Sequence, residues 1–377
     1  MTLWIILKNI SRIKVKRMQK GIKIRLYPNK RQIDILTKIF GHTRYVYNYF
    51  VNYSKENKDY KYANWSKKLT ILKASTETNF LKEADKFSLQ NSLRNLKQAY
   101  DNFFSKRSKA PVFKKKHNEQ SYRTNYTNSN IVLYEKGIKL PKLGVVKCKY
   151  NKDIRNNKII SVTVKKLKCG YYEASIIYET IEYALAKTGK SVGIDLGVRK
   201  LITTSENEQY ISELDIDRIN NKLRKAQRKL SRRELHSSNY EKQRKRLAKI
   251  YRYKDNYMLD TIHKATKAIV TKYDTIYMED LDIKDLLSKQ KLKKHKRKML
   301  TSSLGKIRIL LEYKCEHYGK TLKKINRYYA SSQTCSRCGK TYTVGSSEIY
   351  KCPHCKIIID RDYNAAINIL NYGNSHN

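Results

Sequence analysis

Three acidic residues lie at the ends of separate segments of the sequence, where they could bind metal ions. Asp195 interrupts the alternating apolar pattern SVGIDLGV, although an acid at a strand-end turn is an alternative interpretation of this residue alone. Glu279 ends the short apolar segment TIYME, and Asp362 opens the helical pattern DRDYNAAINIL. Carboxylates that converge from separate elements need cations to neutralise them. The sequence therefore predicts a site for two metal ions, about 4 Å apart, that hydrolyses phosphodiester bonds.

Four of the seven cysteines form two CxxC pairs, which are separated by thirteen residues. In a reducing compartment this spacing is typical of a zinc ribbon, in which four thiolates bind one structural zinc ion. The predicted ligands are Cys335, Cys338, Cys352 and Cys355. Because the second pair is followed closely by Asp362, the ribbon is expected to help to position that acid. Asp360 is interpreted as a cap at the start of the same helix.

The charge of the chain indicates a polyanionic partner. Lys and Arg number 82 against 33 Asp and Glu, which gives a net charge of +49 over 377 residues. A codon bias toward Lys would also raise Glu and Asp, so it does not account for the excess. Nucleic acid is favoured over a membrane, since no apolar run approaches the roughly 18 residues of a spanning helix. The first apolar run precedes its basic residues, the wrong order for a secretory signal, and a location in the bacterial cytoplasm is expected.

Hydrophobic periodicity predicts an α/β protein of several domains. An alternating strand over 22–27 is followed by helical patterns over 30–108 and by short strands within 109–184, at 131–134, 144–150, 159–165 and 171–178. The first strand is expected to join the later sheet, so that the helices form an insertion in a β-rich module. The predicted divisions are an extension (1–17), the β-rich module (18–29 and 109–184), the helical insertion (30–108), the catalytic core (185–333 and 357–372), the ribbon (334–356) and a tail (373–377).

Two basic stretches follow the first strand of the core. Residues 213–272 read as a helical hairpin that turns near His236–Asn239, and 284–300 read as a mobile basic loop near the acids. The solvent-exposed face of a coiled coil would alternate between positive and negative residues. These residues are almost all positive, which favours a nucleic-acid groove. The candidate contacts to nucleic acid are Arg44, Lys225, Arg228, Arg232, Lys245 and Arg361.

From Met18 onward the chain resembles the TnpB family, the OrfB-type proteins of bacterial insertion sequences that are related to type V CRISPR effectors. The order of the acid, zinc and acid motifs is the most specific part of the resemblance. The segments that carry it are KIRLYPNKRQ, FGHTRYVYN, SLQNSLRNLKQAYDNFF, PVFKKK, LPKLGVVK, GIDLGVRKL, YMEDL, YKCEHYGK, SSQTCSRCG and DRDYNAAINIL.

This resemblance implies a fold, an activity and partners. The core would be an RNase-H-like (RuvC) nuclease with an inserted zinc ribbon, and the β-rich, wedge-like module and helical insertion would hold RNA and read a motif beside the target. The implied activity is RNA-guided cleavage of double-stranded DNA, with a guide RNA from the transposon end. Asp195, Glu279 and Asp362 would bind two Mg²⁺ ions, or Mn²⁺ in their place.

Two further functions fit the same sequence. A nucleic-acid-binding regulator would hold RNA and DNA without cutting, but such a protein would have lost at least one of the three acids. A transposase would use the same carboxylates for strand transfer. All three acids are present, which favours a cutting enzyme over a regulator.

Overall fold

The computed structural model describes residues 15–117, 119–197, 200–211, 216–280, 304–343, 345 and 347–376. The basic run 284–300 and most of the N-terminal extension lie outside these residues. Contacts divide the chain into two compact units, one spanning Arg17–Ile181 and the other including Glu182–Asn377. Within the described part, none of the helices combines the length and apolar composition needed to span a lipid bilayer.

The first unit contains a seven-stranded sheet. Its strands are β1 (Val15–Tyr27), β2 (Gln120–Asn125), β3 (Val132–Tyr134), β4 (Gly137–Leu140), β5 (Gly144–Lys149), β6 (Ile159–Lys166) and β7 (Tyr172–Tyr183). Their order is β2-β6-β7-β1-β5-β4-β3, and β1 pairs antiparallel with β5. Alternation sets the faces of the strands: Val162 and Val164 are fully buried, whereas Thr163 between them is only partly buried.

Along the chain, helices lie between β1 and the other strands of this sheet. They are α1 (Lys30–Asn57), α2 (Tyr62–Ala74), a 3₁₀ segment (Thr76–Glu83) and α3 (Lys86–Phe104). α1 begins at a capping box, in which the Asn29 side chain accepts from Gln32 N at 2.9 Å and Gln32 Oε1 accepts from Asn29 N at 3.1 Å. On α3, Leu89, Leu93 and Leu96 recur at helical spacing and are fully buried.

The second unit contains a five-stranded sheet. Its strands are β8 (Ser191–Asp195), β9 (Lys200–Thr204), β10 (Gln209–Ile211), β11 (Thr275–Glu279) and β12 (Thr321–Ile325). The order is β10-β9-β8-β11-β12. The first three strands form antiparallel pairs, whereas β11 runs parallel to both β8 and β12. The parallel pairing brings the carboxyl ends of β8 and β11 to the same edge.

Helices of the second unit cover this sheet and extend from it. They are α4 (Ile216–Ser231), α5 (Ser238–Lys272), α6 (Leu304–Tyr318) and α7 (Arg361–Ser375). The C-terminal part of α5 shares a hydrophobic core with α6 and with β8, β9 and β11. This core includes Ile269, Ile276 and Ile307. Between β12 and α7 lies a two-stranded ribbon of β13 (Ile349–Lys351) and β14 (Ile358–Asp360).

The structure differs from the sequence predictions mainly in the first sheet. β1 begins at Val15, so residues 15–17 belong to the strand and not to an extension. Its neighbour β7 is 12 residues long, so β7 offers pairing partners to a β1 strand that is longer than predicted. β2 and β4 were not predicted. β2 (QSYRTN) is polar and buries only Tyr122 and Thr124, so its hydrophobic pattern is weak. The predicted helical hairpin is confirmed, with His236 at a left-handed φ of 67° before α5.

Candidate functional site

Two neighbouring parallel strands end in the first two acids. Ile194 of β8 lies opposite Met278 of β11, so Asp195 and Glu279 are the next residues on adjacent strands. Ile194 and Met278 are buried, which anchors both strands before they reach the edge. Asp195 and Glu279 are themselves only partly buried. The apolar strands therefore carry the two carboxylates to one accessible edge of the sheet.

The third acid reaches this edge because α7 lies directly on β8. A Cβ atom at Gly193 would lie 2.2 Å from the backbone oxygen of Ala366 and 2.5 Å from the backbone nitrogen of Leu370, both on α7. Only glycine permits this approach, which explains the first glycine of GIDLG, two residues before the acid. Asp362 lies in the first turn of α7. The helix therefore starts beside the ends of the strands.

Electrostatic interactions link the three acids. Burial raises the pKa of Asp195 to about 8, and the negative charges of Glu279 and Asp362 add to the rise. Burial likewise raises the pKa of Glu279, although a hydrogen bond from Ser331 opposes it. Burial also raises the pKa of Asp362, against the opposing charge of Lys200. Like-charged carboxylates in a partly buried site are stabilised by a cation, and their oxygens are the ligands that hard divalent ions prefer.

Asp360 differs in role from Asp362. Its side chain accepts from the backbone N–H groups of Asp362 and Tyr363, each at 3.1 Å, so it caps α7 as the sequence predicted. It also forms an ion pair with Lys200 Nζ at 2.5 Å. Although burial acts to raise its pKa, these partners hold the pKa of Asp360 below its usual range. Its hydrogen-bonding capacity is largely used within the protein, whereas Asp362 interacts with Asp195.

The four predicted zinc ligands converge. Their sulfur atoms all lie within 4.8 Å of one another. Among the described residues, this is the only cluster of three or more potential metal ligands. The Sγ atoms of Cys335 and Cys355 are 3.5 Å apart, and those of Cys338 and Cys352 are 3.7 Å apart. A tetrahedral zinc with Zn–S bonds of about 2.3 Å separates its sulfurs by about 3.8 Å. The cluster therefore fits one zinc ion.

Two asparagines of the DRDYNAAIN segment connect the ribbon to α7. Asn364 Nδ2 donates to Thr334 O at 2.8 Å, and its Oδ1 accepts from Ser336 N at 2.9 Å. Asn368 Nδ2 donates to Ser331 O at 2.8 Å and to Thr334 O at 2.7 Å. Both asparagines are buried. The chain around the first CxxC pair is thus fastened to the helix that carries Asp362.

Two neighbours of the acids are not predicted by the sequence patterns. The hydroxyl of Ser331 hydrogen-bonds to Glu279 Oε1, and Lys200 pairs with Asp360. Ser331 belongs to the SSQTCSRCG motif and Lys200 to GIDLGVRKL, so both lie in segments that had been singled out. Polar character within such a motif was the available signal, but it could not identify the partner of either residue.

The candidate nucleic-acid contacts fall in different places. Arg44, in the first unit, donates to Gln120 Oε1 at 3.2 Å and lines a polar cavity of about 250 Å³. Arg361 is partly buried and donates to Gly345 O at 3.0 Å. The other four are exposed on the helical hairpin of the second unit, three on its helices and Arg232 in the connection between them. These are Lys225, Arg228, Arg232 and Lys245.

Three protein-family profiles match the chain. A "Helix-turn-helix domain" matches residues 18–60, a "Probable transposase" matches 175–290, and a "Cas12f1-like, TNB domain" matches 305–369. In this structure the described residues of the first segment form a strand and one long helix. The third segment contains the four cysteines and Asp362.

Two curated relatives match almost the whole chain, and a third matches about half of it. A "Putative RNA-guided DNA endonuclease" of Streptomyces pristinaespiralis is 31% identical, over 95% of this chain and 90% of the relative. The "Putative RNA-guided DNA endonuclease InsQ" of Escherichia coli K12 is 28% identical, over 96% of this chain and 94% of the relative. A "TnpB-like protein L79" of Acanthamoeba polyphaga mimivirus is 34% identical over 52% of this chain and 39% of its own length.

A solved structure aligns with almost the whole chain. A chain of the Cas12f1-sgRNA-target DNA complex, solved by cryo-EM, aligns with a TM-score of 0.59 and 13% identity, covering 94% of this chain and 98% of the other. At this identity the likeness concerns the fold alone. The sequence relatives establish the family: the chain belongs to the TnpB family of OrfB-type insertion-sequence proteins.

Proposed function

We propose that this chain is an RNA-guided DNA endonuclease of a transposable element, which cuts target DNA next to a short motif by metal-dependent hydrolysis. The observation that carries the proposal is the placement of Asp195 and Glu279 at the ends of two adjacent parallel strands, and of Asp362 in the first turn of the helix that packs on β8. Membership of the TnpB family supports RNA guidance and DNA as the substrate, because its curated relatives are named for both.

The second unit would contain the nuclease core, over residues 185–333 and 357–372, with the ribbon 334–356 inserted. An RNase-H-like (RuvC) fold is supported by the five strands, by the two parallel pairings and by a helix that lies on the central strand β8. The ribbon would bind one structural zinc through its four cysteines, and the sulfur separations support that assignment.

Asp195, Glu279 and Asp362 would hold two Mg²⁺ ions, or Mn²⁺ in their place. When bound, the ions supply an activated water and stabilisation of the leaving 3′ oxygen. The protein's own contribution is orientation of the ligands: Ser331 holds one oxygen of Glu279, and Asp360 caps α7 so that the first turn of the helix is ordered around Asp362. Removal of one acid should abolish cutting and leave nucleic-acid binding intact, because binding rests on dispersed basic residues and base pairing.

Nucleic acid would be held by both units. We assign the helical segment 30–108 and the β-rich module 18–29 and 109–184 to the guide RNA, from the transposon end, and to the motif beside the target. The exposed basic side chains of α4 and α5 would line a groove for the double-stranded DNA target. The proposal is supported by the charge of +49, which makes counterion release a large driving force.

A strand-transfer activity is a second candidate, because one matching family profile is described as a probable transposase. The same three acids would then join a 3′ hydroxyl to target DNA instead of using water. The two candidates differ in their products: hydrolysis leaves free ends, whereas strand transfer links donor and target strands. A regulator that binds without cutting is less well supported, since all three acids are present.

The test compares wild type, Asp195→Ala and Asp360→Ala, each with guide RNA, saturating Mg²⁺ and labelled target DNA. We expect wild type to cut only with a matching guide, Asp195→Ala to bind without cutting, and Asp360→Ala to retain cleavage at this Mg²⁺ concentration. Cleavage by Asp195→Ala, or equal cleavage by wild type without a matching guide, would contradict the proposal. Loss of cleavage in Asp360→Ala alone would reassign the third acid.

A further inference from the structure

Lys200 lies among the acids at the start of α7. Its Nζ atom is 2.5 Å from Asp360 Oδ2 and 4.0 Å from Asp362 Oδ2. The Lys200 side chain is 20% exposed and that of Asp360 is 30% exposed, so solvent screens this pair less than it screens an ordinary surface ion pair. Lys200 is therefore bonded to the capping acid and also lies close to Asp362.

Strand pairing and a close backbone contact place Lys200 beside the end of β8. Lys200 opens β9, which pairs antiparallel with β8 through Asp195 opposite Thr203. A Cβ atom at Gly197 would lie 2.5 Å from the backbone oxygen of Lys200, so the chain returns against glycine. The start of β9 is thereby held next to the end of β8. Lys200 is therefore placed as the first residue of a paired strand.

We propose that Lys200 is a positioning residue for the metal site: by holding the carboxylate of Asp360 it fixes the cap of α7 and, through that cap, the orientation of Asp362. The cap links the two acids directly, since Asp360 Oδ1 accepts from the backbone N–H groups of Asp362 and Tyr363, while Oδ2 accepts from Lys200. One oxygen orders the helix and the other is restrained by the lysine. This inference rests on the proposed function, in which Asp362 binds a divalent ion.

A competing electrostatic effect gives the opposite sign. An ammonium group 4.0 Å from Asp362 also repels a cation bound there. If repulsion dominated, removal of Lys200 would strengthen metal binding. Positioning should dominate, because the ammonium group is engaged by Asp360, which is not a ligand. Loss of an outer partner of a metal ligand typically weakens metal affinity by about 10- to 100-fold.

The experiment measures Mn²⁺ binding to the full-length protein by electron paramagnetic resonance, and in parallel the Mg²⁺ concentration that gives half-maximal cleavage. The variants are Lys200→Met, Asp360→Asn and the double variant, with Lys200→Arg as the conservative replacement. We expect each single change to weaken Mn²⁺ binding and to raise the Mg²⁺ requirement by about tenfold. The double variant should be no worse than either single variant, since both remove the same contact. Lys200→Arg should recover most of the affinity.

Melting temperature and zinc content serve as controls for folding, and both should match wild type in Lys200→Met. Unchanged or tighter Mn²⁺ binding in Lys200→Met would overturn the inference, as would additive effects in the double variant. If wild type itself bound no Mn²⁺ at these acids, the proposed metal site would fail together with the inference. Normal wild-type binding with unaffected variants would refute the role of Lys200 alone.

Discussion

The two candidate metal sites of the second unit are built in contrasting ways. The zinc site takes all four ligands from residues 335–355, and its sulfurs already lie at the separations that one tetrahedral ion requires. The proposed acid site would take its ligands from Asp195, Glu279 and Asp362, which are far apart in the chain and lie on two adjacent strands and on the helix that packs on one of them. One site is therefore encoded locally, whereas the other depends on the packing of the whole unit.

The largest test of this contrast removes a zinc ligand. Cys352→Ser should release the zinc and unfold the ribbon, because a structural zinc can contribute on the order of 10 kcal/mol to a small module. Since Asn364 and Asn368 bond to the chain beside the first CxxC pair, cleavage should fall as well. Zinc is measured by mass spectrometry of the purified protein. Cys315→Ser is the matched control, because this cysteine lies on α6 outside the cluster. Equal zinc in both variants would refute the assignment.

A second test breaks the acid site from a distance. Gly193→Val would force a side chain into the backbone of α7, where even a Cβ atom has 2.2 Å to the nearest oxygen. We expect a loss in the free energy of unfolding on the order of 4 kcal/mol, together with loss of cleavage and normal zinc content. Thermal denaturation and zinc analysis measure these effects. Gly345→Ala is the control, since a Cβ there meets nothing within 4 Å. Normal cleavage by Gly193→Val would show that α7 does not need this contact.

A third test asks how far the two sites are coupled. Asn364→Ala leaves the backbone N–H of Ser336 without its side-chain partner and removes one of the two side-chain donors to Thr334 O, which should cost about 3 kcal/mol. We expect zinc to be retained, because the ribbon keeps its ligands, but cleavage to fall as α7 loosens from the ribbon. Asn371→Ala, on an exposed position of the same helix, should change neither quantity. If Asn364→Ala lost its zinc first, the coupling would run in the other direction.

The smallest expected effect concerns the opposite end of β8 and β11. Asp274 accepts from Lys320 Nζ at 2.5 Å and from the backbone nitrogens of Thr188 and Gly189. Although burial acts to raise it, these donors hold the pKa of Asp274 at about 2. A lowered pKa stabilises the folded state above the unfolded value near 4, and this stabilisation is lost as the pH falls from about 4 to about 2.

We therefore expect Asp274→Asn to lower the free energy of unfolding by about 2 kcal/mol at pH 6, and by less at pH 3. Denaturant titrations of wild type and variant at both pH values measure the difference, and any loss of zinc in acid affects both proteins alike. Asp260→Asn is the control, because the Asp260–Lys264 pair is exposed. A difference that stayed constant with pH would refute this account of Asp274.

The contrast also explains how much the sequence could predict. The zinc ligands were predicted from spacing alone and converge as expected, because their geometry needs only two short turns. The strands that end in Asp195 and Glu279 were predicted from their apolar alternation, and the order of the motifs predicted the family. The contacts of Lys200 and Ser331 could not be predicted, since each depends on a partner far away in the chain. β2 was not predicted because only Tyr122 and Thr124 of its six residues are buried, so its apolar pattern is weak without the pairing with β6.

The packing of α7 on β8 has a consequence for when the site can assemble during synthesis. α7 begins at Arg361, after every strand of the five-stranded sheet. On the ribosome, β8 and β11 emerge long before the helix that covers the Gly193 face, so the nascent chain carries two of the three acids without the third. Contacts between residues so distant in the chain form late in folding. The nuclease site would therefore assemble only after the zinc ribbon has been made, and a prematurely terminated chain would bind nucleic acid without being able to cut it.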